Sequence, residues 1–509
     1  MQWLNKVVDE AVAKNPEGEI IVSSGVSPSG KYHLGTLREV LTAEVVAREL
    51  KRRGRTSCHI HFVDDLDALR KIPSDVPANF EKYLGQPLSE VPAPDGSKQS
   101  YADYFLNDLR QAAEVLKLDM EIVRSHEKYH GGFFTAAIEL ALDHIDEVRE
   151  VLETVSGHRL GQEWSPIQIN EEGYLKKRRF LGIDKSAKTV SYEDRDGQPQ
   201  SIGYSTGDVK LDWRIDWPAR WWLLKVNVEP FGRDHATKGG SYDTGAALSQ
   251  KVFDDQPPLP LPYAFINRSG QTKKMSKSAG DTVNLAQLLQ ILPPETVWYF
   301  VIHYGPDKQL VFDEGEGVIR LIDEFAELKA KNDKTDDERQ LLELCTYNIE
   351  STISTIPFSH LVASYQASLK DPLKTIDLLR RTTRGSLDDP EGEIIKEQLV
   401  FIDRWLNNWA PEEVKFELQP GVDQTKFNDT ERNYLSRLAD KVEKASTGAD
   451  GVWFHKIIYD FKETDGFTPE QLFSPLYRAL IGKESGPRAG WFLSILPREW
   501  LIRRLRLEA

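Results

Sequence analysis

Two short segments hold the residues best suited to chemistry on a phosphate. The first is Ser23-Ser-Gly-Val-Ser-Pro-Ser-Gly-Lys-Tyr-His-Leu-Gly-Thr36. The β-branched run Glu19-Ile-Ile-Val-Ser-Ser24 leads into it, and apolar residues three to four apart (Leu37, Val40, Leu41, Val45, Leu50) leave it. It therefore sits where a strand gives way to a helix, the ligand edge of an open α/β sheet. Small residues such as Pro28, Ser29 and Gly30 let a ligand approach the backbone, and exposed amides at a helix N-terminus favour an anion. His33 at the helix start can donate to phosphate oxygens. Gly35 leaves room for a flat ring against the backbone. Taken alone, the segment is equally well a tight connection carrying a satisfied surface histidine.

The second segment is Lys273-Lys-Met-Ser-Lys-Ser-Ala-Gly280, just past a strand expected over Tyr263-Ala-Phe-Ile-Asn267. Lys274 and Lys277, interleaved with Met275, Ser276 and Ser278, make a cationic loop. It can close over a polyphosphate and neutralise charge developing on a leaving pyrophosphate. A lysine cluster by itself is an ordinary solvated loop. The two segments together, in this order on an α/β pattern, are far more specific than either.

The elements that must position them follow from periodicity. A helix is expected from about Gly35 to Arg53, stopped by Gly54, then a strand Ser57-Cys-His-Ile-His-Phe-Val63 running into Asp64-Asp65. Strand, helix, strand makes a βαβ unit, hence a parallel sheet and an α/β fold. A later set repeats the theme: Val226-Asn-Val-Glu-Pro230, a helix over about 240–253, and Tyr263–Asn267. Between them, 79–205 holds helical stretches (Ser100–Leu116, Phe133–Val155) and a polar run, Asn170–Thr206, with strand candidates such as Thr189-Val-Ser-Tyr192. This reads as an insertion in the sheet domain or as a separate middle domain. Past Asn284 the period is helical.

Composition sets the limits. The chain has 509 residues, 40% hydrophobic and 28% charged, which suits about three domains and excludes wholesale disorder. Lys+Arg 65 against Asp+Glu 80 leaves a net charge of −15. That argues against general nucleic-acid coating but leaves room for a local basic groove. No apolar run is long enough to span a membrane. The opening stretch carries acids and no apolar core, so it reads as no signal peptide. Cys58 and Cys345 are the only cysteines, which excludes a disulfide framework or a zinc site of three or four thiolates and points to the cytoplasm.

His33-Leu-Gly-Thr36 and Lys274-Met-Ser-Lys-Ser278 resemble the HIGH and KMSKS signatures of class I aminoacyl-tRNA synthetases. More narrowly, the chain resembles the archaeal-type class I lysyl-tRNA synthetases over Ser24–Gly30, Phe62–Pro73, Lys210–Trp221, Val228–His235, Gly239–Gly245 and Gly486–Leu493. The last stretch matters because generic class I enzymes lack it. Two departures stand out. Thr36 replaces the His or Asn usual at the fourth HIGH position, and Trp164–Lys210 has no cysteine where relatives often carry a zinc knob. His126, His130 and His158 lack cysteine partners, so no zinc is expected.

The resemblance implies a Rossmann-type parallel-sheet catalytic domain (1–78 and 206–283) with a connective insertion (79–205), linker helices (284–330) and an all-α anticodon-binding region (331–509). It implies activation of L-lysine by ATP with Mg2+, then transfer to the terminal adenosine of tRNA(Lys). No side-chain nucleophile is needed, since catalysis rests on positioning and charge stabilisation. His33, Lys274 and Lys277 are the implied catalytic residues. Pro28, Ser29, Gly30, His33, Gly35, Thr36 and the Lys274–Ser278 loop would hold ATP. Gly25, Ser27, Asp65, Trp213, His235 and Tyr263 would hold lysine. Any one of Asp64, Asp65 and Asp67 is equally a helix cap or surface acid, and Trp213 and Trp217 are a pocket wall or core. Arg488, Arg503, Arg504 and Arg506 form the densest basic cluster, for tRNA or as a solvated helix end. A glutamate enzyme would share both signatures, and a non-catalytic tRNA-binding derivative is the rival of another class. A monomer is the default expectation.

Overall fold

The computed structural model describes residues 1–509 apart from 158, 162–163, 271–282, 383–386, 446–448 and 509. Thirteen strands are present among the described residues. Three come first: β1 (Ile20–Val26), β2 (Ser57–Val63) and β3 (Met120–Arg124). The insertion supplies β4 (Ile167–Glu171), β5 (Tyr174–Lys177), β6 (Arg179–Asp184), β7 (Thr189–Glu193), β8 (Pro199–Gly203) and β9 (Val209–Leu211). Then follow β10 (Val226–Gly232), β11 (Leu259–Tyr263), β12 (Ile266–Arg268) and β13 (Leu310–Phe312).

The central sheet is all parallel, in the order β11-β10-β1-β2-β3. β1 lies at its centre and is largely buried, which explains why its sequence is a continuous β-branched run rather than an alternation. The order runs β1-β2-β3 to one side and β1-β10-β11 to the other, so its reversal falls between β1 and β10. Helix α1 (Gln2–Lys14) precedes the sheet, and α2 (Leu34–Arg52) follows β1. α2 is buried at most positions, so its polar residues are structural too. Arg38, fully buried, donates to the carbonyls of Val301 (2.6 Å) and Pro306 (3.1 Å).

The insertion contains α3 (Tyr101–Leu116), α4 (Ser125–His130), α5 (Thr135–Asp143) and α6 (Ile145–Ser156). It also carries two antiparallel sheets, β5-β4-β9 and β6-β7-β8. The chain returns through β9, then α7 (Trp213–Leu224), and α8 (Ser241–Val252) follows β10.

Four expectations change. The helix expected over Phe133–Val155 is two, because the chain turns at His144 (φ −105°, ψ 32°). The strand expected over Tyr263–Asn267 is split between two sheets: Ala264 N–H donates to the Pro306 carbonyl (2.7 Å), and the chain leaves β11 to pair β12 with β13. The 79–205 division does not coincide with the sheet, since β3 inside it pairs with β2 and β9 beyond it pairs with β4. β13 interrupts the stretch expected to hold linker helices only.

The chain divides into two units. The first comprises Met1–Leu289, Val297–Phe312 and Thr335–Ile349; the second comprises Gln290–Thr296, Asp313–Lys334 and Glu350–Ala509. Every described element past 331 is helical, and Thr335–Ile349 belongs with the sheet unit. The second unit is helical, cored by Leu435, Leu438, Ile458, Leu472, Leu476 and Leu480 at helical spacing. Capping boxes at Asn428/Glu431 and Thr468/Gln471 start two of its helices. No helix among the described residues is long and apolar enough to cross a membrane.

Candidate functional site

A cavity of about 500 Å3 opens at the C-terminal ends of β1 and β2, beside the reversal of strand order. Ser27, Ser29, His33, Glu39, Asp67 and Tyr263 contribute to its wall. His33 caps α2 in extended conformation (φ −135°, ψ 171°), its Nδ1 accepting the Thr36 N–H at 3.3 Å. A neutral imidazole that accepts at Nδ1 carries its proton on Nε2, so it can donate there to an oxygen. A Cβ at Gly35 would stand 2.8 Å from His33 Cε1. The room left by Gly35 is thus taken by the histidine ring itself. Gly35→Ala is expected to rotate the imidazole and slow about 100-fold any phosphate chemistry that uses it. The rotation also gives up the Nδ1 cap on the Thr36 N–H, so stability should fall by about 0.5–2 kcal/mol. Pyrophosphate exchange and a melting curve check both.

Glu39, absent from the sequence reading, joins two residues of the site. Its Oε1 accepts the Gly25 N–H at 2.8 Å and its Oε2 accepts the Tyr263 hydroxyl at 2.7 Å. Burial and the Glu39 carboxylate push the Tyr263 hydroxyl well above its ordinary range, so it stays a donor. Ser27 Oγ donates to Asp67 Oδ2 at 2.7 Å on the same cavity. The wall therefore holds two carboxylates, Glu39 and Asp67, while Arg70 and Lys71 bring positive charge to it. The spacing of His33, Thr36 and Glu39, three apart on the first turns of α2, was the available signal.

Asp65 lies elsewhere. It is fully buried, accepts from Ser125 Oγ (3.0 Å) and the His126 N–H (2.9 Å), and pairs with Arg124 Nε (2.5 Å) and His126 Nδ1 (2.7 Å). Despite burial, the His126 hydrogen bond and the Arg124 charge hold it below the usual carboxylate range. It ties β2 to β3 and α4 and does not line the cavity. Beside it, Lys210 is fully buried among three carboxylates: Asp64 (3.4 Å), Asp67 (3.2 Å) and Asp216 (3.4 Å). Arg220 closes the cluster on Asp216 at 2.8 Å, and Tyr129 donates to Asp216 at 2.6 Å. The returning insertion strand β9 thereby delivers the cation that seats Asp67.

Trp213 is half-buried beside His235, ring centroids 6.2 Å apart, and His235 Nδ1 is 3.2 Å from Ser241 Oγ. Neither lines the cavity. Trp217 is core: it and Trp221 both donate their indole N–H to Glu229, the first at 2.7 Å. Burial pushes Glu229 from 4.5 up to about 7 against those two hydrogen bonds. A carboxyl raised in the folded state holds its proton better there than in the unfolded chain. Its contribution is fully present below pH 4.5 and is lost as pH rises to about 7. Stability should therefore fall by up to about 3 kcal/mol over that window. Glu229→Gln is expected to remove that part of the slope, read from melting curves between pH 5 and 8.

The Lys274–Ser278 loop lies outside the described residues. Among the described residues no three His, Cys, Asp or Glu side chains group as metal ligands. Ser24, His59 and Glu44 form a hydrogen-bonded chain (2.8 Å and 2.8 Å), but all three are buried, so no substrate reaches it. The four arginines near the C-terminus differ in setting, with Arg503 exposed. Arg504 is buried and donates to the Gln419 carbonyl (2.7 Å), and Arg506 pairs with Asp440 (3.0 Å) and Glu443 (2.7 Å). Arg488 is exposed.

The family described as tRNA synthetases class I (K) matches residues 1–352. Over 530 residues the chain is 33% identical to lysine–tRNA ligase 1 of Methanosarcina acetivorans, covering 99% of this chain and 98% of the relative. It is 32% identical over 508 residues to the lysine–tRNA ligase of Archaeoglobus fulgidus, covering 99% of each. A solved glutamate–tRNA ligase from Elizabethkingia meningosepticum aligns over 96% of this chain and 98% of its own, at 13% identity and a TM-score of 0.40. The chain belongs to the class I tRNA synthetases, within them to the lysyl family.

Proposed function

We propose that this protein is a lysine–tRNA ligase acting on L-lysine, ATP carried as its magnesium complex, and tRNA(Lys). A lysine carboxylate oxygen attacks the α-phosphorus, the bond to pyrophosphate breaks, and lysyl-adenylate forms. The 2′-hydroxyl of the terminal adenosine then takes the lysyl group and AMP leaves. Pro28, Ser29, Gly30, Gly35 and Thr36 bring the ATP phosphates to the start of α2, where His33 Nε2–H donates to them. Lys274 and Lys277 stabilise the charge that develops as pyrophosphate leaves. The helical unit reads the anticodon. The enzyme works as a cytoplasmic monomer.

The observation that carries the reading is the pair of carboxylates on the cavity wall. Glu39, held by Gly25 and Tyr263, offers an anionic seat to an ε-ammonium, and the Ser27–Asp67 pair supplies a second acceptor. Trp213 and His235, which stand outside the cavity wall, are assigned to the amino-acid side by the family resemblance alone; the oxygens of Asp65 are taken by Arg124, Ser125 and His126. A glutamate substrate would set a third carboxylate against Glu39 and Asp67, at a cost of several kcal/mol for like charges. ATP–pyrophosphate exchange with each of the twenty amino acids, with and without tRNA, tests the proposal. Exchange with lysine alone is expected. Exchange with glutamate and not lysine would overturn the specificity, and exchange with none would overturn the activity.

A further inference from the structure

We infer that Trp491 is a stacking platform for an unpaired nucleobase of the RNA, with Arg488 beside it for the phosphate. The inference rests on the tRNA-charging reading and adds the residues that would contact the strand. Trp491 is 45% exposed although most large aromatics of the helical unit are buried. Its seat is built by two glycines. A Cβ at Gly451 would lie 2.4 Å from indole Cδ2, 2.7 Å from Cε3 and 2.9 Å from Cε2. Cδ2 is a ring-fusion carbon with three ring neighbours, so it is reached only from the ring face. The Gly451 backbone therefore covers one face of the indole. A Cβ at Gly490 would stand 2.3 Å from the Gly451 carbonyl oxygen, so this close approach needs glycine on both sides. His360 packs against the indole at a steep angle, centroids 5.7 Å apart at 74°. Gly451 covers one face, and 45% of the residue stays exposed.

The rim carries the matching charge. Arg488 is exposed three residues before Trp491, and Val452, His455 and Lys456 form an exposed strip on the helix Gly451–Asp465. An exposed indole with the exposed cations Arg488 and Lys456 on the neighbouring chain segments fits a base with its phosphate; single-stranded RNA is held in this way, by stacking and backbone charge. Gly490 and Trp491 belong to Gly486-Pro-Arg-Ala-Gly-Trp-Phe-Leu493, and Gly451 opens the helix Gly451–Asp465.

The test uses the full chain and tRNA(Lys) at fixed salt. Trp491→Ala is expected to weaken tRNA binding about 5- to 150-fold, and Trp491→Phe to restore most of the loss. Arg488→Ala should reduce the salt slope of binding by about one. Abasic substitution along the anticodon loop should find one nucleotide whose loss costs wild type but not Trp491→Ala. If wild type charges tRNA with lysine and Trp491→Ala binds it within twofold, the platform is overturned and the exposed indole is a protein contact instead. If the loss for Trp491→Ala is the same at every abasic position, the platform is likewise overturned. Wild type that binds no tRNA overturns this inference together with the charging reading.

Discussion

Glu39→Gln is expected to raise the KM for lysine by about two orders of magnitude while leaving the KM for ATP nearly unchanged. The carboxylate is the one acceptor shared by Gly25 and Tyr263, and it faces the cavity. A lysine ε-ammonium seated there loses its hydration and recovers it only from a fixed negative charge. Removing one partner of such a desolvated pair costs about 2–5 kcal/mol. The fold should tolerate the change, because the amide oxygen can still accept the Gly25 N–H and the Tyr263 hydroxyl can turn to accept from the amide NH2. Steady-state kinetics with lysine and with ATP separate the two constants. An unchanged lysine KM would remove Glu39 from recognition and leave it a structural tie between β1, α2 and β11.

Lys210→Met is expected to destabilise the sheet unit by about 3–5 kcal/mol, the usual consequence of stripping one partner from a buried ionic cluster. Asp64, Asp67 and Asp216 would lose their common cation, leaving Arg220 to balance three carboxylates. Burial and Asp67 already push Asp64 up to about 7. In the variant the aspartates must take up protons to remain buried, so the deficit should be smaller at pH 5 than at pH 8. Lys210→Met with Asp216→Asn restores the charge balance and should recover a large part of the loss. Calorimetry of the first unfolding transition reads this directly, since a chain of two units need not unfold in one step. A deficit independent of pH would mean that Lys210 acts by packing alone.

The parts of the fold visible in the sequence were those with local causes. β1, α2 and β2 declare themselves because each is a strongly patterned run ended by glycine or acids, and the expected bounds differ from the observed ones by a residue or two. β3 was hidden because an edge strand of five residues, Met120–Arg124, has too little buried surface to imprint a pattern. The break after Tyr263 was hidden because its cause is a carbonyl on the distant Pro306 loop. The site divides in the same way. The residues of Ser23–Thr36 cluster in sequence, so their chemistry could be read from their order. Glu39 takes its role from a hydroxyl 224 positions away, and Lys210 takes its role from carboxylates just past β2 and on α7. Asp65 illustrates the converse: three acids together look like a binding motif, yet the backbone turns one of them inward to Arg124 and His126.

The place of β1 in the sheet has a consequence for synthesis. One of its edges is bonded by β2, close behind in the chain, but the other waits for β10, whose Asn227 side chain bonds Ile21 across 206 positions. At about 5–20 residues per second the ribosome needs roughly 10–40 s to deliver that partner. During that interval an apolar strand stands with an open edge, the condition under which nascent chains pair with one another. The insertion therefore sets a delay as well as a shape. Folding yield at high expression should depend on elongation rate through 64–225, and it should improve when chaperones cover the first strand pair before Val226 emerges.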